Sequence, residues 1–352
     1  IEHSSVVDYT CTFQKTFKIT ESDRCIQQSS FSFDTHVEEI FPILTKGGTI
    51  LMGRNGGRDM QELQMLIEKK GATVLSTTPL VLNELNNYTS NLSALRLLIS
   101  GGDVFSISYV SNFLNKVEIY DSYGPSESTV CCTYHRIENS YSAGIIGTPI
   151  DNRNIYILND QHQLLPIAVT GEICISGAGL ARGYLNRPES TAERFVMNPF
   201  KEGKRMYKTG DLGRWLPDGS VQFLGRKDDQ VKIRGYRIEL GEIENTLKGY
   251  PETEAVVVTV VTQPDGQTAL AAYIVSTKVL NSSDLQTYLN IRLPKYMIPS
   301  HFVQLEQLPL SPNGKIDKKK LPAPGIFNIA SGIEYVAPRT ETEEKLLTIW
   351  QA

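Results

Sequence analysis

The sequence predicts a multidomain α/β protein with three parts: a mostly parallel sheet, a small antiparallel β region and a compact α+β domain. The chain has 352 residues, which is more than one compact core usually holds. Hydrophobic residues make up 40% and charged residues 21% of it, as is typical of globular proteins. Short apolar runs first alternate with amphipathic stretches and then give way to a pattern rich in Gly and Pro.

The first part, residues 1–145, is predicted to form the parallel sheet and its helices. Apolar runs typical of buried strands recur at 49–52, 73–75, 97–99 and 118–120. Between the first two lies a segment with helical periodicity, Met60–Glu68. Short buried strands that alternate with helices indicate a parallel sheet.

The remaining chain changes character twice. Residues 146–227 carry β-type runs at 154–158 and 172–175 and the hairpin signal Asp218-Gly219, which predict a small antiparallel barrel or sandwich. Residues 228–325 predict a small α+β domain, with helices at 239–247 and 283–291 and a strand at 254–262. Residues 326–352 predict a linker and the start of a new helix, capped by Thr340 or Thr342.

Composition argues against several classes of protein. The net charge of −4 is unlike the basic footprint of a nucleic-acid binder, and the short run Lys318-Lys319-Lys320 is typical of solvated surface. No apolar stretch approaches the roughly 20 residues that cross a bilayer. The scattered cysteines have no zinc-type spacing and fit a reducing cytoplasm. They are Cys11, Cys25, Cys131, Cys132 and Cys174.

One segment combines several groups that can bind a nucleotide. Tyr123-Gly124-Pro125-Ser126-Glu127-Ser128-Thr129 follows a predicted strand that ends at Tyr120. A turn at the carboxyl end of a strand is where open α/β sheets bind ligands. Its aromatic ring can stack on a base, its hydroxyls can contact phosphate, and its carboxylate can hold magnesium. A plain turn is the alternative interpretation.

Four further segments are each ambiguous alone. The glycine-rich run 171–185 could be barrel architecture, and Asp211 in 207–212 could be an exposed loop residue. The charged run 225–237 could be a solvated hairpin, and Lys315 in 310–317 could be an ordinary loop lysine.

Together, in this order, the five segments resemble the core motifs of adenylation domains of nonribosomal peptide synthetases. That superfamily also contains acyl-CoA synthetases and firefly luciferase. The run 293–299, Leu-Pro-Lys-Tyr-Met-Ile-Pro, adds to the match, which extends to about Pro324. The run 172–185 and Ser32-Phe33-Asp34 are similar to the peptide synthetase branch.

The resemblance implies the adenylate-forming fold, with a large N-terminal domain and a mobile C-terminal domain. The family's phosphate loop lies just before the segment that resembles Ile1-Glu2-His3, so we expect the large domain to be partial here. The segment 334–340 and the helix after it resemble the lead-in to a carrier domain.

The implied reaction has two steps. An amino-acid carboxylate attacks the α-phosphate of ATP, giving aminoacyl-AMP and pyrophosphate. The acyl group then passes to the phosphopantetheine thiol of a carrier domain. The implied cofactors are ATP and Mg²⁺, and the implied partners are the carrier domain and neighbouring synthetase modules. Neither nucleic acid nor membrane is implied, and a cytoplasmic location is expected.

The resemblance assigns nucleotide-binding roles position by position. Tyr123 is expected to stack on adenine, with Gly102 on the other face. Asp121 resembles the residue that bonds the adenine amino group, although the family more often has Asn there. Asp211 is expected to hold the ribose hydroxyls, helped by Arg226.

Four other roles concern the chemistry itself. Ser126 is expected to contact phosphate and Glu127 to bind magnesium. Asp228 resembles the hinge of the small domain. Lys315 resembles the catalytic lysine, whose charge would neutralise the negative charge that builds up between carboxylate and phosphate.

The substrate site is expected to begin on a helix. Asp34, Thr35 and Glu38 share one face because i and i+4 are neighbours. The resemblance implies that Asp34 pairs with the substrate α-ammonium group, whereas Glu38 could instead be a capping-box partner of Thr35. The implied side-chain pocket consists of Thr35, Glu38, Ser76, Ile99, Gly101, Ser122, Val130 and Cys131.

This pocket predicts a basic amino acid. A buried unpaired carboxylate is costly, so Glu38 should meet a substrate cation or hydrogen-bond donor. Gly101 and Ser122 are expected to leave room for a long side chain. Arginine is the first candidate, ornithine or lysine the next, and tyrosine could also donate its hydroxyl to Glu38.

Two rival functions remain open from the sequence. An acyl-CoA synthetase is the closer one, and Asp34 and the carrier-like tail argue against it. A non-catalytic remnant is the other. It is suggested by the missing phosphate loop and opposed by the complete motifs elsewhere.

Overall fold

A computed structural model describes residues 1–53, 59–88, 94–139, 141–228, 230–233, 235–263, 268–310, 316–324, 329 and 340–351. The chain divides into two compact units. The first is Ile1–Asp228 with Arg234–Tyr236, and the second is Asp229–Ile233 with Arg237–Ala352.

The described residues contain helices and strands in the following order. The helices are α1 His3–Thr16, α2 Thr35–Leu44, α3 Met60–Glu68, α4 Pro79–Tyr88, α5 Pro188–Arg194, α6 Leu240–Lys248, α7 Ser282–Asn290 and α8 Glu341–Gln351. The strands are β1 Arg24–Gln27, β2 Thr49–Met52, β3 Val74–Thr77, β4 Leu97–Gly101, β5 Glu118–Tyr123, β6 Thr133–Arg136, β7 Ile145–Pro149, β8 Arg153–Leu158, β9 Gly171–Gly177, β10 Phe195–Met197, β11 Arg205–Trp215, β12 Val221–Arg226, β13 Gln230–Ile233, β14 Tyr236–Glu239, β15 Thr253–Thr262, β16 Thr268–Ser276 and β17 His301–Leu305.

The first unit is built on one large mixed sheet. Its parallel half has the order β2-β1-β3-β4-β5, as the alternation of strands and helices predicts. The order continues through antiparallel β6, β7, β12, β11, β9 and β8, with β10 beside β11. The antiparallel strands expected for residues 146–227 are therefore present, and hydrogen bonds through β6 and β7 make them a continuation of the parallel sheet.

Helices cover both faces of the parallel half. Successive strand residues face opposite sides, so Val74 lies in a core with aromatic residues of α1, and Leu75 lies in a core with α3 and α4. Burial on both faces explains why these strands are continuous apolar runs rather than alternating ones.

Helix α1 is held against the antiparallel strands by a buried ion pair. The Arg153 guanidinium, whose side chain is fully buried, donates to Asp8 with a nitrogen–oxygen distance of 2.5 Å. Asn152 donates to the other Asp8 oxygen at 2.7 Å. Two other guanidinium nitrogens of Arg153 are buried without a hydrogen-bond partner among the described residues. Asp8 is thus the main compensation for this buried charge.

The second unit is the small α+β domain that the sequence predicts. Strand β15 pairs antiparallel with β16, and β16 pairs parallel with β17. Val257, Tyr273 and Val303 form the centre of its core. The predicted helix near the chain end is α8, and the Thr340 hydroxyl caps it by accepting from the Glu343 amide at 3.2 Å.

Three negative findings apply to the described residues. None of their helices is long and apolar enough to cross a membrane. No group of three or more His, Cys, Asp or Glu side chains is placed to bind a metal ion. All five cysteines lie in this part of the chain and are free thiols.

Candidate active site

The proposed ammonium-binding and phosphate-binding groups lie together in the first unit. Asp34 precedes α2 and makes no hydrogen bond that caps the helix. Its side chain lies near the Ser126 hydroxyl, which lowers the pKa of Asp34, and near enough to Glu127 for that charge to raise it. Burial, the largest influence, raises the pKa of Asp34 above its usual range. A cation bound beside Asp34 would offset this cost.

Two tyrosines that are not among the predicted site residues hold Glu127 in place. The hydroxyls of Tyr184 and Tyr207 both donate to Glu127 Oε1, at 2.7 and 2.8 Å. Both tyrosines lie within segments that carry the resemblance, Tyr184 in the glycine-rich run and Tyr207 just before Asp211. Their location in these segments is the only sequence feature that indicates a role, because their contacts with Glu127 join residues far apart in the chain.

The turn that presents Ser126 and Glu127 is tightly constrained. Strand β5 extends to Tyr123, three residues beyond its predicted end. A side chain on Gly124 would lie 2.4 Å from the Cys131 α-carbon, so only glycine fits there. Thr129 and Val130 both have positive φ, 64° and 63°. A β-branched residue in this conformation is strained, and such strain concentrates at binding sites.

The proposed ribose and adenine groups are linked to each other. Tyr123 donates to Asp211 Oδ2 and Arg226 donates to Asp211 Oδ1, both at 2.5 Å. Asp121 lies two residues before Tyr123 on β5 and is 9% exposed. Gly102, just past the end of β4, has φ of +85° and open space where a side chain would be.

Arg226 also reaches the proposed hinge residue. Its guanidinium donates to both oxygens of Asp228, at 2.6 and 2.7 Å. Arg194 on α5, which is not among the predicted site residues, adds a third contact at 3.3 Å. A side chain on Gly210 would collide with this cluster, at 2.7 Å from Asp228 and 2.8 Å from Arg226.

Glu38 is buried in a network of hydroxyls, with 2% of its surface exposed. It accepts from Tyr9 at 2.5 Å and from the Ser76 hydroxyl. The capping-box interpretation with Thr35 is therefore wrong, because both carboxylate oxygens bond side chains outside α2. The sequence predicts an unpaired carboxylate that the substrate must compensate. In the structure, two neutral hydroxyls of the protein already donate to it. Burial raises the pKa of Glu38 to about 7, and hydrogen bonds from Ser76 and Tyr9 partly offset the rise.

Several other predicted pocket residues lie around Glu38. Ile99 and Cys131 are buried in the same core as Tyr9, and Val130 packs against that core. Thr35 starts α2, one turn before Glu38. One expectation needs correction: the space beside Gly101 holds the Ser122 hydroxyl, which would lie 2.2 Å from an added β-carbon. Gly101 therefore accommodates Ser122, which bonds the Ser100 carbonyl at 3.1 Å.

Lys315 lies outside the described residues. For magnesium, Glu127 is a single carboxylate, and no three-ligand cluster exists among the residues described. This donor set fits Mg²⁺, which proteins commonly hold with one or two carboxylates while substrate phosphates and water supply the other ligands.

Comparison with known protein families identifies both parts of the chain. Residues 1–185 match the model of the AMP-binding enzyme family. Residues 242–315 match the model of the AMP-binding enzyme C-terminal domain.

Similar proteins agree with these matches. Bacitracin synthase 3 of Bacillus licheniformis is 43% identical over the whole chain, which spans 6% of that synthase. A solved NRPS protein containing adenylation and PCP domains is 29% identical, with a TM-score of 0.74 over 86% of this chain and 53% of its own. The Vibrio cholerae adenylation domain AlmE, in complex with glycyl-adenosine-5'-phosphate, is 27% identical, with a TM-score of 0.77 over 90% of this chain and 61% of its own. The chain therefore belongs to the AMP-binding enzyme family of adenylate-forming ligases, as an adenylation domain of the nonribosomal peptide synthetase type.

Proposed function

We propose that this chain activates an amino acid as aminoacyl-AMP and passes it to the phosphopantetheine thiol of a carrier domain. The proximity of Asp34 to Ser126 and Glu127 carries the proposal. An α-amino acid whose ammonium group pairs with Asp34 has its carboxylate beside the proposed phosphate site. Positioning of this kind supplies a large share of catalysis in phosphoryl-type transfers.

The nucleotide would use the second cluster. Tyr123 and Gly102 would flank adenine, Asp121 would bond its amino group, and Asp211 would accept the ribose hydroxyls. A carboxylate has about four acceptor sites, and the two contacts to Asp211 leave capacity for two hydroxyls. Arg226 would hold the Asp211 carboxylate in place. Mg²⁺ held by Glu127 would neutralise phosphate charge.

We propose a basic amino acid as substrate, arginine before ornithine or lysine, with tyrosine as an additional candidate. Asp34 and Glu38 are four residues apart, about 6 Å along the α2 region. That separation suits an α-ammonium group at one end and a polar group at the end of a long side chain at the other. The contacts that Glu38 already makes leave acceptor sites for a guanidinium fork.

Substitution of Glu38 by Gln tests the substrate class. Arginine activation should fall by at least tenfold, about 1.4 kcal/mol, because a buried charge-assisted bond is lost. In the native protein, kcat/KM for arginine should rise with pH through about 7, where Glu38 ionises. Glu38→Gln should abolish that rise.

The readout is ATP–pyrophosphate exchange in the full-length protein, as the arginine-to-tyrosine ratio against pH. Ionisation of Asp34, and of Glu39, whose pKa burial also raises to about 7, should affect both substrates alike because neither residue is predicted to line the side-chain pocket. The ratio therefore reports on Glu38. Best turnover with a small aliphatic or acidic amino acid, or a ratio that does not vary with pH, contradicts the proposed substrate.

Substitution of Lys315 by Ala tests the enzyme proposal itself. Loss of a cation placed where negative charge develops should lower kcat for adenylation by about a hundredfold or more. Lys320→Ala, which removes a neighbouring exposed lysine, is the matched control and should leave the rate unchanged. Equal, measurable rates for the native protein and Lys315→Ala reject the catalytic role of Lys315, whereas no adenylation by the native full-length protein favours the non-catalytic remnant.

A further inference from the structure

A relay of two tyrosine hydroxyls ends on the Glu38 carboxylate. Tyr9 on α1 donates to Glu38 Oε2 at 2.5 Å, and the Tyr9 and Tyr134 hydroxyl oxygens are 2.7 Å apart. A hydroxyl carries one proton. When Glu38 is ionised, Tyr9 gives its proton to Glu38, so Tyr134 donates to Tyr9. With the carboxylate ionised, the relay runs from Tyr134 through Tyr9 to Glu38.

The relay is dry. Tyr9 is fully buried, Tyr134 is 8% exposed and Glu38 is 2% exposed. Burial raises the pKa of both tyrosines well above the usual range, so both remain donors. In a medium of low dielectric constant, hydrogen bonds strengthen and chains of them reinforce one another. Ser76 completes the set by donating to the other Glu38 oxygen.

We infer that Tyr9 is a positioning residue for substrate selection, because its hydroxyl, backed by Tyr134, holds the Glu38 carboxylate in one orientation. The acceptor sites that remain on the carboxylate are then presented to the amino-acid side chain in a fixed geometry. This inference rests on the proposed function, in which Glu38 lines the side-chain pocket. Tyr9 itself acts through Glu38 and belongs to a helix that supplies none of the predicted pocket residues.

The ionisable groups around the carboxylate determine how pH enters the test. They are Tyr9, Cys25, Asp34, Glu39, Cys131 and Tyr134. Burial raises the pKa of Cys131 to about 12 and that of Cys25 well above its usual range. Burial also raises the pKa of Glu39 to about 7. Only carboxylates therefore change charge between about pH 6 and 9.

Substitution of Tyr9 by Phe removes one hydroxyl and keeps the ring. In the full-length protein, kcat/KM for arginine should fall by about ten- to a hundredfold, mostly through KM. The pH dependence of the arginine-to-tyrosine ratio should move to higher pH, because the ionised carboxylate loses a donor. A ring that only fills the core moves neither quantity, so an unchanged KM and pH dependence overturn the inference.

Tyr134→Phe is the matched control, because its hydroxyl contacts Tyr9 and is one step further from the carboxylate. Its effect should be smaller, and it should add little to Tyr9→Phe. A larger effect from Tyr134→Phe than from Tyr9→Phe overturns the direction of the relay.

A double-mutant cycle of Tyr9→Phe and Glu38→Gln separates this inference from the proposed substrate. If the two residues act as one unit, the double variant should lose no more than Glu38→Gln alone. The cycle is run on whichever amino acid turns over best. Non-additive effects with a neutral amino acid support the positioning role and reject the basic substrate. Additive effects with any substrate overturn the positioning role.

Discussion

Replacement of Asp34 by Asn should lower kcat/KM for amino-acid activation by about a hundredfold to several thousandfold. Loss of one partner from a buried ion pair costs about 3–5 kcal/mol, and every 1.4 kcal/mol is about tenfold. Asp34 is partly buried and its pKa is raised by burial, so the substrate ammonium group would be its main compensation. The effect should extend to every amino acid, because each one carries this group.

The sharpest measurement compares an amino acid with the corresponding 2-hydroxy acid, which lacks the cation. The native protein should strongly prefer the amino acid, and Asp34→Asn should lose most of that preference. Glu39→Gln is the matched control: Glu39 is a buried carboxylate on the same helix, but Ser29 and Gln27 hold it. If both variants keep the native preference, Asp34 does not bind the ammonium group.

Replacement of Asp8 by Ala should destabilise the docking of α1 by about 3–5 kcal/mol. The Arg153 guanidinium, whose side chain is fully buried, would lose its carboxylate and remain an uncompensated buried charge. Hydrogen–deuterium exchange of the full-length protein should show much faster exchange in α1 and β8.

Asp151→Ala is the comparison for this effect. Asp151 pairs with Lys15 and so joins the same helix to the same region, but both side chains are more than half exposed. Exposed ion pairs contribute about 0–1 kcal/mol, so exchange should scarcely change. Similar protection in Asp8→Ala and the native protein would show that Arg153 is compensated by another group.

The sequence predicts elements of the fold correctly where the local residue pattern agrees with the burial of those residues in the folded protein. Helix α3 has the predicted bounds because Asp59 caps it, accepting from the Gln61 amide at 2.9 Å, and because its apolar residues face the core. Strand β2 also has its predicted bounds. Helix α1 was missed, although Tyr9, Phe13 and Phe17 lie four residues apart and form one aromatic stripe.

The sequence identifies only some of the residues of the candidate site. Short motifs locate Asp34, Glu127 and Asp211, but the hydroxyls that orient them come from distant segments. Tyr9 lies 29 residues from Glu38, and Tyr207 lies 80 residues from Glu127. No spacing rule relates such pairs, because the contacts exist only after the sheet is assembled. The capping-box interpretation of Glu38 is wrong for the same reason. It rests on the nearby residue Thr35, whereas the actual partners, Tyr9 and Ser76, reach Glu38 only in the folded protein.

The hydrogen bond between Tyr123 and Asp211 has an energetic consequence for nucleotide binding. It joins the end of β5 to β11, across 88 residues of sequence, and both strands belong to one continuous sheet. The proposed base-stacking ring and the proposed ribose carboxylate are therefore preorganised before any nucleotide arrives. The entropic cost of aligning the ring and the carboxylate arises during folding, so it does not reduce the affinity for ATP.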